Sequence, residues 1–302
     1  VSATIPRVLL VSRPTEYEEL LRRHGTRAQA GFFLSGRGLS IDEVEARHAA
    51  QQAAIGRVAA ELPTRWRRSR VPRAELARFV FEPGDVIVAV GQDGLVANVA
   101  KYLDGQPVVG VDPLPGVNAG KLVRFGAEAA GELIARAVEG RAEVEERTMV
   151  EARLDDGQAL LALNELYVGH RTHQSSRYTL ALGGRRERQS SSGLIVATGT
   201  GATGWSLSIA RATESEALLP SPTEPALAFF VREAWPSPAT GTSLVRGRVT
   251  TGAERLTVTS EMGDGGVVFG DGIEDDRIPL GWGVRVSVGL AARRLRLVVR
   301  AG

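Results

Sequence analysis

The stretch Asp85-Val86-Ile87-Val88-Ala89-Val90-Gly91-Gln92-Asp93-Gly94 decides the reading of this chain. An apolar, largely β-branched run ends at a glycine, and Leu95 to Leu103 follows with a helix-like pattern, so the segment reads as strand, turn and helix. Glycines at 91 and 94 let backbone amides approach an anion with no Cβ in the way, and the following helix presents its positive end there. Asp93 is the unusual residue. A carboxylate inside an anion-binding turn repels phosphate unless it binds Mg²⁺ or takes a proton from an attacking hydroxyl. The competing reading is that Asp93 merely caps the helix.

Working outward, Arg7 to Ser12 reads as a short buried strand and Thr15 to His24 as a helix capped by Thr15 with Glu18 in its first turn. Thr26 to Gly38 has no clean period. Ser40 starts a long helix that Pro63 stops, and Pro72 to Phe79 reads as a further helix leading into the central strand. The cluster Arg65-Trp66-Arg67-Arg68-Ser69-Arg70 reads as a solvated connector rather than a nucleic-acid patch. Gln106 to Val111 is another strand and Ala127 to Val138 another helix. Strands alternating with helices predict an α/β domain, residues 1–141, with a doubly wound, Rossmann-like parallel sheet whose ligands sit at the carboxyl ends of the strands.

After about Glu143 strand-length segments separated by Gly, Asp and Pro turns predict a β-rich, β-sandwich-like domain over residues 142–302, its last strands able to return to the first domain. Two motifs lie in it. Asn164-Glu165 interrupts the apolar run Ala159 to Val168, and burying an amide and a carboxylate without partners costs several kcal/mol. A ribose diol would satisfy both, and so would a simple turn bonded to its own backbone. The run Thr198-Gly199-Thr200-Gly201-Ala202-Thr203-Gly204-Trp205-Ser206 joins a strand to a helix-like segment. It reads as a nucleotide-lining loop or a mobile linker, and Trp205 argues against a free linker because a large aromatic needs a surface to bury against.

The order of these motifs resembles the NAD kinase family, whose pattern is a Gly-Gly-Asp-Gly turn, an Asn-Glu or Asn-Asp pair, then a Thr- and Gly-rich loop. The match looks closer to the branch that includes the mitochondrial NAD kinase, at Ser191-Ser192-Gly193-Leu194, Thr198-Gly199-Thr200-Gly201, Trp205-Ser206, Asn164 to Gly169, Gly110-Val111-Asp112-Pro113 and Gly120-Lys121-Leu122. The resemblance runs from about Arg7 to about Val299. It implies phosphoryl transfer from ATP, or polyphosphate, to the 2′-hydroxyl of the adenosine ribose of NAD, with Mg²⁺ accompanying ATP. Asp93 is then the general base or the carboxylate that orients the hydroxyl. Gly91, Gln92 and Gly94 cradle phosphate, Asn164 and Glu165 fix the ribose, and Thr198, Thr200, Thr203 and Ser208 line the nucleoside pocket. Apart from Asp93, no side chain is expected to ligate a metal directly. The family also implies a homo-oligomer, dimer or tetramer. Departures fall at Gln92, where the family has glycine, and at Leu95, Asp112 and Ala202. A related kinase with another acceptor, or a non-catalytic nucleotide sensor, would share the same turn.

Composition bounds the rest. The chain has 302 residues, 43% hydrophobic and 24% charged, as expected of a globular protein with room for two domains. No apolar run approaches the roughly 18 residues that span a bilayer and no secretory signal is read at the N-terminus, so a cytoplasmic protein is expected. With 0 Cys there is neither a disulfide nor a thiolate nucleophile. The net charge of +2 is too small to predict nucleic-acid binding. His170 and His173 lack a third ligand at metal spacing.

Overall fold

The computed structural model describes residues 5–117 and 120–300. The chain divides into two compact units, one formed by Val1–Glu145 with Arg296–Gly302 and the other by Glu146–Leu295.

In the first unit the elements run β1 (Arg7–Ser12), α1 (Glu16–His24), α2 (Arg27–Ser35), α3 (Ile41–Glu61), β2 (Arg67–Pro72), β3 (Asp85–Val90), α4 (Asp93–Ala100), β4 (Pro107–Val111) and α5 (Ala130–Val138). The local signals act as expected at α1, where the Thr15 side chain accepts from the Glu18 N–H and Glu18 reaches back to the Thr15 N–H, a complete capping box. Ser40 caps α3, which ends at Glu61 before Pro63. The strands β1 to β4 pair in parallel: β2 to β1, β1 to β3, and β3 to β4. β3 is buried along its whole length because helices cover both faces. Val86, Val88 and Val90 face Ile55 and Val58 of α3 and Leu133 and Ile134 of α5 in one core.

Three expectations give way. Thr26 to Gly38, which shows no clean period, contains α2, capped by Thr26 and held by Ala30 and Leu34 against Leu20 and Val44. The arginine cluster is not a connector: Arg67 to Pro72 forms β2, an edge strand whose outward residues are arginines, a charge pattern that discourages further pairing. The helix expected from Pro72 shrinks to a 3₁₀ segment, Arg73–Arg78.

The second unit holds β5 (Glu143–Leu154, entering from the first unit), β6 (Ala159–Ala162), β7 (Glu165–His170), β8 (Ser176–Leu182), β9 (Arg185–Ser191), β10 (Leu194–Ala197), α6 (Trp205–Ala212), β11 (Leu227–Val231), β12 (Arg246–Val249), β13 (Leu256–Ser260), β14 (Gly266–Gly270) and β15 (Ile273–Pro279). β16 (Arg285–Arg300) begins in this unit, pairs antiparallel with β13, and ends in the first unit, where Arg296 and Leu297 pair parallel with Pro107 and Val108. One antiparallel sheet has the order β12-β11-β10-β7-β14-β15. Its inner residues Leu166, Val168, Val196 and Phe229 pack against Tyr178, Leu180, Val258 and Val286 of the strands β8, β13 and β16, so two sheets share one core. The outer face of the six-stranded sheet carries α6, with Ile209 and Ala210 over Ile195, Ala228 and Phe230. Among the described residues no helix is long and apolar enough to cross a membrane.

Candidate functional sites

In the first unit β3 delivers Val90 to the carboxyl edge of the sheet and Gly91 turns the chain into α4. The Gly91 N–H donates to the Val111 carbonyl at 3.0 Å, so this amide serves the sheet and is not available to a phosphate, contrary to its expected part in the cradle. Gln92 is the N-cap of α4 but makes no side-chain cap; its Oε1 accepts from Arg13 Nη2 at 2.7 Å instead. Gly94 is exposed, its φ is not positive, and a Cβ there would meet no atom within 4 Å. Nothing among the described residues therefore requires glycine at a helix position where it costs roughly 0.5–1 kcal/mol relative to alanine.

Asp93 is half-buried at the first position of α4 and does not cap its own helix by the usual route. Its carboxylate reaches the segment after β4, accepting the Lys121 N–H on Oδ2 at 2.8 Å and the N–H groups of Leu122 and Val123 on Oδ1 at 2.9 and 3.0 Å. A carboxylate offers about four lone-pair positions, so three donors leave it room for about one further bond. Such a group is held firmly in place by backbone and can orient one hydroxyl.

In the second unit Asn164 and Glu165 lie at the junction of β6 and β7. The backbone of this polar pair, though not its side chains, is held by a residue far away in sequence. Asp271 accepts the Leu163 N–H on Oδ2 at 3.0 Å and the Asn164 N–H on Oδ1 at 2.6 Å, while its own N–H donates to the Glu165 carbonyl at 3.0 Å. Asp271 follows an irregularity in the pairing of β14 with β15 and has φ +55°, a left-handed conformation uncommon for a residue with a Cβ. Burial, followed by the negative Asp271 carboxylate, pushes the Glu165 carboxyl up to about 7, and among the described residues no hydrogen bond to it offsets either effect. A side chain poised there can both donate to and accept from sugar hydroxyls at neutral pH.

The Thr- and Gly-rich run leaves β10 directly over this pair. Thr198 is fully buried: its hydroxyl donates to the Leu163 carbonyl at 2.6 Å and accepts the Thr200 and Gly201 N–H groups at 3.1 and 3.3 Å. It pins the loop from beneath and cannot line a pocket, a correction whose cause is that both roles of its one hydroxyl are taken. Thr200 is also buried, and the buried Arg147 on β5 points Nη1 at its hydroxyl from 3.4 Å. Thr203 and Ser208 are exposed, Thr203 bonding back to the Thr200 carbonyl at 3.3 Å. Gly201 lies flat on Asn164, whose carbonyl would collide with any added Cβ. Trp205 stacks on Tyr167 at 6.1 Å with an interplanar angle of 11°, and Arg232 lies 5.0 Å over its ring, so the aromatic is anchored on a domain face with 38% still exposed. Burial pushes the Tyr167 phenol up.

Asp271 and Arg147 were not among the expected site residues. The Gly270-Asp271-Gly272 turn was a usable signal for the first; for the second nothing local marks one arginine among many. His170 turns its Nδ1 to the Thr172 hydroxyl at 2.9 Å, and among the described residues no three His, Cys, Asp or Glu side chains gather as a metal site.

No family model matches the chain. It is 32% identical over 177 residues to the NAD kinase of Heliobacterium modesticaldum, covering 51% of this chain and 61% of that protein. To the NAD kinase of Burkholderia ambifaria it is 37% identical over 136 residues, 42% of this chain and 44% of that one. The chain thus spans about half the length of the curated relatives it matches. Its fold is that of the crystal structure of yeast NADH kinase complexed with NADH, with a TM-score of 0.62 at 15% identity over 100% of this chain and 86% of that one. The NAD kinase from Archaeoglobus fulgidus in complex with ATP gives 0.59 at 19% identity, covering 97% and 93%.

Proposed function

We propose that this chain is a kinase of the NAD kinase family, transferring a phosphoryl group from ATP, or polyphosphate, to the 2′-hydroxyl of the adenosine ribose of NAD to give NADP. The observation that carries this reading is Asp93, a carboxylate fixed by three backbone amides at the carboxyl end of the central strand, with one bonding position left over. The partial similarity to curated NAD kinases and the shared fold support it.

Phosphoryl transfer asks mainly for alignment and charge neutralisation. Asp93 orients the acceptor 2′-hydroxyl and takes its proton as the new O–P bond forms, while the donor's terminal phosphoanhydride bond breaks and ADP, or the shortened polyphosphate, leaves with the electron pair. The amides at the start of α4, from Gln92 to Gly94, face the donor; Gly94 has space on its outer side that an approaching phosphate would use. Asn164 and Glu165 hold the ribose, braced by Asp271. Thr203 and Ser208 are the exposed hydroxyls available to the nucleoside, while Thr198 and Thr200 keep the loop over Asn164. Mg²⁺ bound to the donor phosphates would supply charge neutralisation there, and among the described residues Asp93 is the one side chain placed to ligate it directly.

The reading extends to a placement nearest the branch that includes the mitochondrial NAD kinase, carried by Ser191-Ser192-Gly193-Leu194 and Asn164 to Gly169, to a cytoplasmic enzyme, and to a homo-oligomer, dimer or tetramer. Incubation of the purified protein with NAD, ATP and Mg²⁺, with NADP measured by enzymatic cycling, tests the activity. NADP formation is expected. Calorimetric binding of NAD with no product would instead identify a nucleotide sensor, and phosphorylation of another nucleoside or sugar a kinase with a different acceptor. Light scattering that shows a monomer would refute the oligomer.

A further inference from the structure

Against the Gly91–Gln92 turn the first unit has a cavity of about 120 Å³, whose other lining residues the proposed chemistry does not use. By volume it has room for about four waters, enough for a small oxyanion. Three strand ends frame it: Arg13 and Pro14 after β1, Gly91 and Gln92 after β3, and Pro113 and Leu114 after β4. This is the edge of a parallel sheet where ligands collect.

The donors that line it come from separate elements. Arg13 leaves β1, and its carbonyl is fixed by the Gln51 Nε2 of α3 at 3.1 Å. Arg47 and His48 stand one turn earlier on α3, with His48 Nδ1 held 2.8 Å from the Thr15 hydroxyl. Among the described residues the only carboxylate in the lining is Glu16, already paired with Arg47 Nη2 at 2.9 Å, so two guanidinium groups face one carboxylate there. Gln92 belongs to both places. Its backbone starts α4 in the phosphate turn, and its side chain lines the cavity and binds Arg13 Nη2 at 2.7 Å. That bond uses one of the five N–H donors of Arg13 and orients the fork that carries the other four.

We propose that this cavity is an anion subsite for the outermost phosphate of a phosphoanhydride chain lying along the Gly91–Gly94 turn, with Arg13 and Arg47 as its charged donors and Gln92 as the residue that aims Arg13. The glutamine that departs from the family's glycine thus selects the donor by positioning an arginine. The inference rests on the proposed function for its biological donor but not for its first test.

Calorimetry with tripolyphosphate, without NAD or Mg²⁺, is run on the full chain. Wild type is expected to bind, and Arg13→Ala and Arg47→Ala to bind about tenfold or more weakly, the size of a lost charge-assisted hydrogen bond. Arg186→Ala, an exposed arginine of the other unit, removes the same charge and is expected to change nothing. Absence of wild-type binding, or equal binding by the Arg13 and Arg47 variants, overturns the subsite; an equal loss in Arg186→Ala overturns it by making the attraction non-specific. In steady state Gln92→Gly and Arg13→Ala are expected to raise the KM for the donor and leave that for NAD unchanged, and whichever of ATP and polyphosphate shows the larger rise is the source of the phosphate. Unchanged donor KM values overturn the selecting role. If wild type makes no NADP, the kinase reading fails while the tripolyphosphate result stands by itself.

Discussion

The two candidate regions treat their carboxylates in opposite ways. Asp93 in the first unit is surrounded by donors, three backbone N–H groups from a single segment. Glu165 in the second is buried beside another carboxylate and is pushed up to about 7. The first arrangement fixes a charged group and spends most of its bonding capacity on the protein. The second keeps a carboxyl near its midpoint at neutral pH, with its bonding capacity open. Alignment of an acceptor and adaptable gripping of a sugar call for these two different environments.

The sharpest way to break this contrast is Asp93→Asn. Loss of the base is expected to lower the kcat for NADP formation by roughly two to four decades. An amide also has one oxygen where the carboxylate has two, so some of the Lys121 to Val123 N–H groups lose their acceptor, and a melting curve of the same variant separates that structural loss from the chemical one. An unchanged kcat would remove Asp93 from the mechanism.

Asp271→Ala tests the brace in the other unit. It leaves the Leu163 and Asn164 N–H groups without their acceptor, at a cost of about 1–3 kcal/mol for each that stays buried. Urea unfolding should show the loss, and the KM for NAD should rise. Asp271→Asn, which keeps an acceptor and removes the charge, should recover part of the stability while moving the pH dependence assigned to Glu165 downward. A variant that unfolds like wild type would show that the loop holds itself.

Glu165 gives the contrast a pH signature. Its carboxyl stands at about 7 in the folded chain against 4.5 ordinarily, so the native state keeps a proton that the unfolded state releases. The stability it contributes is complete below about pH 4.5 and is lost as pH rises through 7, amounting to roughly 3 kcal/mol. Glu165→Gln should abolish that fall, read as the difference between the two urea-derived stability profiles from pH 4 to 8. Parallel profiles would refute the assignment.

Smaller effects refine the loop. Gly201→Ala drives a methyl into the Asn164 carbonyl and should cost about 1–3 kcal/mol in thermal unfolding, with a weaker grip on NAD. Trp205→Ala removes the stack on Tyr167 and the Arg232 contact, about 1 kcal/mol, and quenching of the lost tryptophan signal by NAD in wild type would show whether the ring senses the ligand.

How much was legible varies with how local the cause is. The capping box at Thr15, the start of α3 at Ser40 and the strand-turn-helix around Gly91 are written in neighbouring residues. Helix α2 escaped because its apolar residues do not form one face: Phe32 is 84% exposed while Ala30 and Leu34 pack inward. Leu227 to Val231 carries no alternating strand signal because it is apolar throughout, buried on both sides between β10 and β12. β9 and β10 follow each other with only two residues between them yet belong to different sheets, because Gly193, at φ +106°, breaks the run.

The sequence by itself determined that a parallel α/β unit precedes a β-rich one, and which three motifs carry polar chemistry, because hydrophobic period and turn residues act over a few positions. Only the tertiary structure decided what satisfies those motifs. Gly91 gives its amide to Val111, Thr198 turns inward, and Asp271 crosses 107 residues to hold Asn164. Hydrogen bonds saturate, so the partner that folding brings into reach settles which polar groups remain free for a ligand, and that partner has no fixed spacing along the chain.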